Sequence, residues 1–339
     1  MSVADAPGIG LAAWAAVHLA ISIVGTWLAR GYALRRDLLD QPGERRSHQV
    51  PTPRGGGIAI VASLLLALAW LAISNPAHAS MLLAMAVGVA LVAGIGWADD
   101  HRPLSPWPRL LVQGVASALL AWSVQSEGGS LVLVAAAFTA AMVLTNVWNF
   151  MDGIDGLAAS QALLVAVGYG ALAGQGIAVW LAIALAAACL GFLPFNLPRA
   201  RIFLGDVGSG TLGYALAGLA AWLALDPGLG DRTLLLVLPL SAFLLDATLT
   251  LSARAATGQR WWLPHAEHAY QHWARRSGSH GRVALAYAGW TLLACLGMLA
   301  GRTAAHAFII PALLVVCLAG GGAWACLRRT SQGREDTKE

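Results

Sequence analysis

The stretch NFMDGIDGLAAS, residues 149–160, carries one amide, two carboxylates and two glycines between apolar runs. The flanking runs, 130–148 and 156–174, are each long enough to cross the roughly 30 Å hydrocarbon core of a bilayer as a helix. Acids are expensive beside lipid, so their presence between two predicted membrane helices indicates a function.

The rest of the chain has the same character. Of its 339 residues 58% are hydrophobic and 11% are charged, which predicts an all-α, polytopic membrane bundle. The first run has no upstream Lys or Arg and no cleavage site, so we expect it to be a retained span. About eleven apolar runs are predicted to be transmembrane helices: 9–29, 55–74, 80–98, 110–126, 130–148, 156–174, 177–195, 209–225, 233–251, 283–301 and 307–326.

Positive charge predicts the orientation of the chain. An eleven-span path places all but two of the 21 Lys and Arg residues on one face, and the exceptions are Arg232 and Arg302. By the positive-inside rule that face is cytoplasmic, with the N-terminus outside and the C-terminus in the cytoplasm of a bacterial inner membrane. Because topology explains the basic residues, we expect no nucleic-acid partner.

No internal repeat or shift in composition divides the chain, so we predict a single domain over residues 1–339. The dense polar motifs share the inner face and lie near 38–57, 99–109, 146–156, 196–210 and 254–282. A helical bundle can gather these segments around one cleft. The cysteines have no metal-ligand spacing and are expected to be small buried residues: Cys189, Cys295, Cys317 and Cys326.

Two acidic motifs suit a divalent cation, with a reaction at phosphate as the alternative for the first and a sugar for the second. Asp99 and Asp100 end an apolar run, where they could bind Mg²⁺, act as acid and base, or simply stop the helix. The second motif has a spacing of three, which predicts one oxygen-rich stripe on a helix that continues the fifth run. Its members are Asn146, Asn149, Asp152 and Asp155.

The motif GDVGSG at 205–210 places Asp206 before a predicted helix. Its backbone N–H groups could meet phosphate while the carboxylate holds a metal, or Asp206 could only cap the helix. Asp246 lies inside the ninth run, where an acid is expected to face a cavity or a partner.

Basic and histidine residues complete the polar set. The spacing of His265, His268 and His272 predicts one helix face, and contact with phosphate or sugar hydroxyls is favoured over zinc because the nearby acids suit Mg²⁺ better. Basic residues also precede the glycines at 55–57, where anionic lipid headgroups and a phosphate-bearing substrate account for them equally well. These residues are Arg45, Arg46, His48 and Arg54.

From about residue 38 to 280, the motif series resembles that of the polyprenyl-phosphate N-acetylhexosamine-1-phosphate transferases. The motifs are DDHRPLSPWPRLLVQ, NVWNFMDGIDGLAASQ, NLPRARIFLGDVGSGTLGY and DATLTLSARAATGQRWWLPHAEHAYQH. These enzymes are the glycosyltransferase 4 family, which is related to phospho-N-acetylmuramoyl-pentapeptide transferase. The resemblance implies transfer of a sugar-1-phosphate from a UDP-amino sugar to undecaprenyl phosphate, with release of UMP and with Mg²⁺ or Mn²⁺ as cofactor.

The resemblance also implies roles for residues. Asp99 and Asp100 match an acidic pair near the lipid phosphate and, with Asp152, are the candidate catalytic residues, while Asn149 and Asp206 match metal positions. Phe203 matches an aromatic residue that stacks on uracil. The other candidate substrate-binding residues are Asn146, Asp155, His265, His268 and Arg54. The loop reads HAEHAY without a triple histidine, which favours the branch that initiates O-antigen and teichoic-acid synthesis.

Two alternatives from other classes remain. A secondary transporter also has many spans, but its polar sites lie near the membrane midplane, whereas these acids gather at one surface. Another Mg²⁺-dependent membrane prenyl or alcohol phosphotransferase would leave GDVGSG and HAEHAY without a role. We expect the lipid bilayer, the UDP-amino sugar and undecaprenyl phosphate as partners, and leave a homodimer open.

Overall fold

The computed structural model describes residues 10–41, 50–260, 263, 265–304, 307 and 309–335, with side chains up to residue 328. Nearly all of this part is helical, as predicted, apart from a short antiparallel pair of strands, β1 (Leu39–Asp40) and β2 (Thr52–Pro53). The helices are α1 Leu11–Arg35, α2 Ile58–Ser74, α3 Ala79–His101, α4 Pro106–Ser126, α5 Leu131–Phe150, α6 Leu157–Ala173, α7 Ile177–Asn196, α8 Asp206–Ala224, α9 Ser241–Ala256, α10 Ala269–Ser277, α11 His280–Gly301 and α12 Ile309–Glu335. Two 3₁₀ segments, Pro76–His78 and the 11-residue Gly230–Leu240, lead into α3 and α9.

Within the described residues, eight helical stretches are long and apolar enough to cross a membrane. They are Leu11–Arg35, Pro76–His101, Leu131–Phe150, Ile177–Asn196, Asp206–Ala224, Gly230–Ala256, His280–Gly301 and Ile309–Arg328. The helices α2 and α6 are apolar but shorter, and α4 is less apolar than the eight. Each of the eleven predicted runs thus lies on a helical stretch. The protein is a polytopic helical membrane protein, while the count of eleven crossings and their orientation stay predictions.

The helix α8 lies at the centre of the bundle and packs against α2, α3, α5, α6 and α7. Glycines let backbones meet there. A Cβ atom on Gly57, just before α2, would lie 2.2 Å from the Cα of Gly208, and one on Gly96 of α3 would lie 2.5 Å from the carbonyl oxygen of Asp206. Because such distances are far inside van der Waals contact, only glycine permits this packing.

Several polar side chains within the spans donate to backbone carbonyls, which suits a lipid environment. Tyr169 donates to the carbonyl of Leu236 at 2.6 Å, and Tyr214 donates to the carbonyl of Ala116 at 3.0 Å. At the end of the bundle away from the acidic motifs, Arg302 donates to the carbonyl of Leu172 at 3.0 Å. These bonds fix the helices relative to one another.

The predicted burial of the cysteines is half right. Cys189 and Cys295 are buried, but Cys317 and Cys326 are exposed on α12. The prediction treated every apolar run as core, whereas the span in α12 has only 6% of its residues buried inside the protein. A helix at the rim of a membrane bundle turns most of its apolar surface to lipid and not to other helices.

Candidate functional site

The two adjacent acids at the end of α3 have different surroundings, because consecutive helical residues point about 100° apart. Asp99 Oδ1 accepts the backbone N–H of Leu104 at 2.7 Å. Asp100 is only 3% exposed, and its oxygens accept the N–H groups of Asp206 and Val207, each at 3.1 Å. Asp100 therefore caps α8, and these two N–H groups are bonded to its carboxylate and not free to meet a phosphate.

Gly205 makes this meeting of α3 and α8 possible. Its φ is 75°, in the left-handed region that favours glycine. A Cβ atom at this position would lie 2.5 Å from Oδ2 of Asp100. The glycine-rich motif thus serves close packing onto a carboxylate, while the Asp206 side chain, in the first turn of α8, is directed toward α4.

Arg109, in the first turn of α4, binds oxygens from three other helices. Its Nη1 lies 3.2 Å from Oδ2 of Asp99, and its Nη2 lies 2.9 Å from Oδ2 of Asp206 and 3.3 Å from Oδ1 of Asn149. Asn149 in turn donates to Ser209 Oγ at 3.1 Å. The structure thus brings together three of the predicted site residues, on α3, α5 and α8, around one guanidinium.

The sequence interpretation missed Arg109 because it treated basic residues of this segment as a topology signal. Its position carried a second signal. Arg109 lies shortly after the acidic pair in the sequence, in the first turn of α4, the next apolar helix. A charge placed past the start of a membrane helix is expensive without a partner, and the nearest acids in sequence are Asp99 and Asp100.

The prediction of a single helical stripe from Asn146 to Asp155 is wrong, because α5 ends at Phe150. Asn146 bonds elsewhere: it donates to Gln113 Oε1 at 2.9 Å and to the Met142 carbonyl at 2.8 Å. Asp155 lies in the following turn, and its Oδ2 is 3.2 Å from His280 Nδ1 at the start of α11. The four residues therefore serve different contacts.

The helix ends where it does because glycines must follow. Gly156 has a φ of 72° and its N–H donates to Asn196 Oδ1 at 2.7 Å. A Cβ atom on Gly153 would lie 2.1 Å from the Tyr270 hydroxyl, which donates to the Phe150 carbonyl at 2.9 Å. The turn is thereby packed against α10. It holds Asp152 near the C-terminal end of α3 and the N-terminal end of α8.

Asp152 is the least neutralised acid of the site. It is partly buried, and among the described residues no side-chain hydrogen bond or ion pair involves its carboxylate. Burial raises the pKa of Asp152 well above its usual value, and the negative charges of Asp206, Asp100 and Asp155 raise it further. An acid held in this way gains most from a cation that binds beside it.

The histidines do not share one helix face as predicted, because α10 begins only at Ala269. His265 and His268 precede it with ring centroids 4.9 Å apart. Burial, followed by the charges of neighbouring basic groups, lowers the pKa of His265 and of His272 to about 4. At neutral pH both rings are therefore uncharged and can donate or accept a hydrogen bond.

Asp246 fixes α10 in place and meets partners, as predicted. Its carboxylate accepts the N–H groups of Ala269 at 2.8 Å and Tyr270 at 3.0 Å, and the hydroxyl of Tyr287 at 2.7 Å. A carboxylate at a helix N-terminus also interacts favourably with the helix dipole. The histidine segment is thus attached to α9 and α11.

The first polar segment packs beside the acid site. The N–H of Phe203 donates to the Pro53 carbonyl at 2.8 Å, and the Phe203 carbonyl accepts from Gly56 at 2.9 Å. Arg54 is partly buried and lies near enough for its charge to act on Asp100. The other predicted basic residues, Arg45, Arg46 and His48, lie outside the described residues.

Comparison with known proteins places this site in a family. Residues 82–224, which include Arg109, the oxygens it binds and Asp152, match the model described as glycosyl transferase family 4. The chain is 32% identical to the decaprenyl-phosphate N-acetylglucosaminephosphotransferase of Mycobacterium tuberculosis, over 86% of this chain and 83% of that protein. It is 33% identical to a phospho-N-acetylmuramoyl-pentapeptide-transferase of Synechococcus sp., over 84% of this chain and 87% of that protein.

Proposed function

The chain belongs to glycosyl transferase family 4, and from this membership we propose its reaction in detail. It is a membrane phosphoglycosyltransferase that transfers a sugar-1-phosphate to a polyprenyl phosphate. The finer proposal is that a UDP-N-acetylhexosamine is the donor and undecaprenyl phosphate the acceptor, with UMP released. The observation that supports it is the convergence of Asp99, Asn149 and Asp206 on Arg109 at one end of the bundle.

Arg109 and the three side chains around it lie where a membrane lipid and a water-soluble nucleotide sugar can both reach them. A polyprenyl phosphate is confined to the membrane with its phosphate at the surface, and a UDP-sugar is a soluble anion. Their phosphates can meet only at the membrane boundary, and the cluster lies where α3 and α5 end and α4 and α8 begin. We propose that this boundary faces the bacterial cytoplasm, because most basic residues lie in segments on that side.

The reaction needs positioning more than proton transfer. An oxygen of the lipid phosphate attacks the phosphorus that bears the sugar, a new P–O–P bond forms, and the bond to UMP breaks. The second pKa of a phosphate monoester is about 6, so the attacking group is already mostly ionised at neutral pH. We propose that Asp99 and Asp152 orient the reacting groups, while Asp100, which caps α8, holds the site together.

The oxygens of Asn149 and Asp206 fit a divalent cation, Mg²⁺ or Mn²⁺. Within the described residues, no three acidic, histidine or cysteine side chains form a metal-binding group. Proteins usually hold Mg²⁺ through one or two carboxylates together with substrate phosphates and water. When bound, the cation neutralises charge on the diphosphate and on the departing UMP. The open carboxylate of Asp152 would face the same cation.

The remaining contacts would select the substrates. We propose that Phe203 stacks on uracil, that Arg54 meets a phosphate, and that His265 and His268 bind sugar hydroxyls or phosphate. Asn146 and Asp155 are bonded to protein groups and would support the pocket around the nucleotide sugar. The HAEHAY sequence supports a role in initiating O-antigen or teichoic-acid synthesis.

The test is release of UMP by purified protein given undecaprenyl phosphate, Mg²⁺ and a panel of UDP-amino sugars. We expect one UDP-N-acetylhexosamine to be turned over and chelation by EDTA to abolish the reaction. Asp206→Asn and Asp99→Asn should each lower turnover at least about a hundredfold. Asp231→Asn, an exposed carboxylate before α9, is the matched control and should be as active as wild type. No UMP from any donor would refute the proposal.

A further inference from the structure

Arg109 holds the oxygens that the proposed function assigns to the cation. One nitrogen, Nη2, lies 2.9 Å from Asp206 Oδ2 and 3.3 Å from Asn149 Oδ1, while Nη1 lies 3.2 Å from Asp99 Oδ2. The side chains are only partly buried, with 24% exposure for Arg109 and 28% for Asp206. The guanidinium is therefore tightly bound but has a path toward solvent.

A divalent cation and this guanidinium cannot both stay in these positions. Mg²⁺ binds oxygen at about 2.1 Å, so an ion on Asp206 and Asn149 would come within a few ångströms of Nη2. Two positive charges at that separation repel strongly in a site partly shielded from water. The shared oxygens gain more from the divalent ion, so Arg109 is the group that moves.

Resting on the proposed function, we propose that Arg109 is an internal cation that competes with the metal for Asn149 and Asp206 and is displaced to bind a substrate phosphate. Before the metal enters, the guanidinium keeps acids of α3 and α8 from repelling one another. After displacement, its planar pair of N–H donors matches a phosphate, a geometry that arginine binds well. One side chain thus couples metal loading to phosphate binding.

The experiment measures Mn²⁺ binding directly, by the electron paramagnetic resonance signal of free Mn²⁺, with purified full-length protein and no substrates. Arg109→Gln should bind Mn²⁺ roughly tenfold more tightly than wild type, because the competing charge is gone. Arg109→Lys keeps the charge and should stay within about threefold of wild type. Arg102→Gln removes an exposed charge from the same segment and is the matched control, expected to leave the affinity unchanged.

Turnover gives the second readout and should move in the opposite direction. Arg109→Gln should lose at least about tenfold in kcat although it holds metal more tightly, since the phosphate contact is lost. A merely structural arginine would lower both quantities. If Arg109→Gln does not fold, as judged by thermal unfolding, Arg109→Met, which keeps the aliphatic stem, takes its place.

The outcomes separate this inference from the proposed function. Mn²⁺ binding by folded Arg109→Gln that equals or falls below wild type refutes the competition, and unchanged kcat refutes the phosphate contact. Asp206→Asn tests the metal assignment itself. If that variant binds Mn²⁺ as tightly as wild type, the metal site of the proposed function is wrong. If it loses Mn²⁺ and Arg109→Gln gains none, only the competition is wrong.

Discussion

At the scale of single residues, neighbouring acids in this site have separate tasks set by their bonds. Asp100 is buried, and its two oxygens accept two amides of α8, so it ties α3 to α8. Asp99 and Asp206 share Arg109. Asp152 has burial and like charges around it and no compensating bond among the described residues, so it is held in an unfavourable state that a bound cation would relieve.

We predict that Asp152→Asn is more stable than wild type at neutral pH and less active. Because folding raises the pKa of Asp152, the folded protein loses stability as the pH rises through that raised pKa, whereas asparagine has no proton to lose. The gain should be about 1 kcal/mol, or roughly 2 °C in Tm, and turnover should fall at least about tenfold.

Thermal unfolding in detergent from pH 4 to pH 8 checks this. The difference between the variant and wild type should shrink toward acid pH, because the unfolded chain also takes up a proton at this position as the pH falls toward the ordinary aspartate pKa of about 4. Asp231→Asn, at an exposed carboxylate, is the matched control. A variant less stable than wild type across the whole range would mean that Asp152 makes a stabilising contact instead.

Sequence reasoning identified part of this site. Asp99, Asn149 and Asp206 could be predicted because an oxygen-bearing side chain at the end of an apolar helix is costly unless it serves a polar site. Arg109 could not be separated from topology-setting charges, since a basic residue at this boundary satisfies both. The hydrogen bonds of Asp100 to α8 could not be predicted either, because the sequence does not show which of two adjacent acids turns toward α8.

At the scale of elements, the site depends on how closely helices approach. The end of α3 meets the first turn of α8 through glycine, and α10 is attached to α9 by one carboxylate. The sequence predicted the long helices but not these contacts between them. It extended α5 through Asp155 because spacing alone cannot show that Gly153 must make room for Tyr270. The spacing of the histidines likewise predicted one helix through all three, whereas α10 starts after His268.

We predict that Gly96→Ala damages the site while Gly94→Ala, two residues away on the same helix, does not. The methyl group at 96 would lie 2.5 Å from the Asp206 carbonyl and push α8 away, whereas nothing lies within 4 Å of the position at 94. We expect a loss of about 2 kcal/mol and of most activity for the first variant. The second should keep wild-type stability or gain up to about 1 kcal/mol from helix propensity.

Thermal unfolding and UMP release are measured for both alanine variants in parallel. Equal behaviour of the two would show that α3 can shift without disturbing Asp206, contrary to the close packing of α3 on α8.

We predict that Asp246→Asn loosens α10. The amide offers one acceptor oxygen where the carboxylate satisfied two backbone N–H groups and a hydroxyl, so about 3 kcal/mol of local stability should be lost. Hydrogen exchange at Ala269 and Tyr270 should accelerate accordingly. Tyr287→Phe removes only one bond to the same carboxylate and should cost about 1 kcal/mol. Unchanged exchange in Asp246→Asn would contradict the anchoring role.

At the scale of the whole molecule, hydropathy predicted the helices well because a lipid environment leaves the backbone few alternatives. It could not assign α12, whose apolar surface looks the same in sequence whether it faces protein or lipid. This is why Cys317 and Cys326 were predicted as buried and are exposed. Residues 99 and 206 could be grouped only because all dense polar segments were assigned to one face.

We predict that α4 crosses the membrane although it is not among the eight most apolar stretches. Ser105 precedes α4 and Ser126 ends it, and both are exposed. In a cysteine-free background, Ser126→Cys should react with an impermeant maleimide in intact cells, and Ser105→Cys should react only after lysis. Labelling of both or neither in intact cells would contradict the eleven-span path and the proposed orientation.

The burial of α8 on every side bears on what happens after the reaction. Its backbone contacts at Gly57 and Gly96 tie α8 closely to the start of α2 and to α3. Within the described residues, this close packing opposes the rocking motion by which transporters open alternately toward the two aqueous compartments. A glycolipid made here would remain in the leaflet where it was formed, and a separate translocating protein would have to carry its sugar headgroup across.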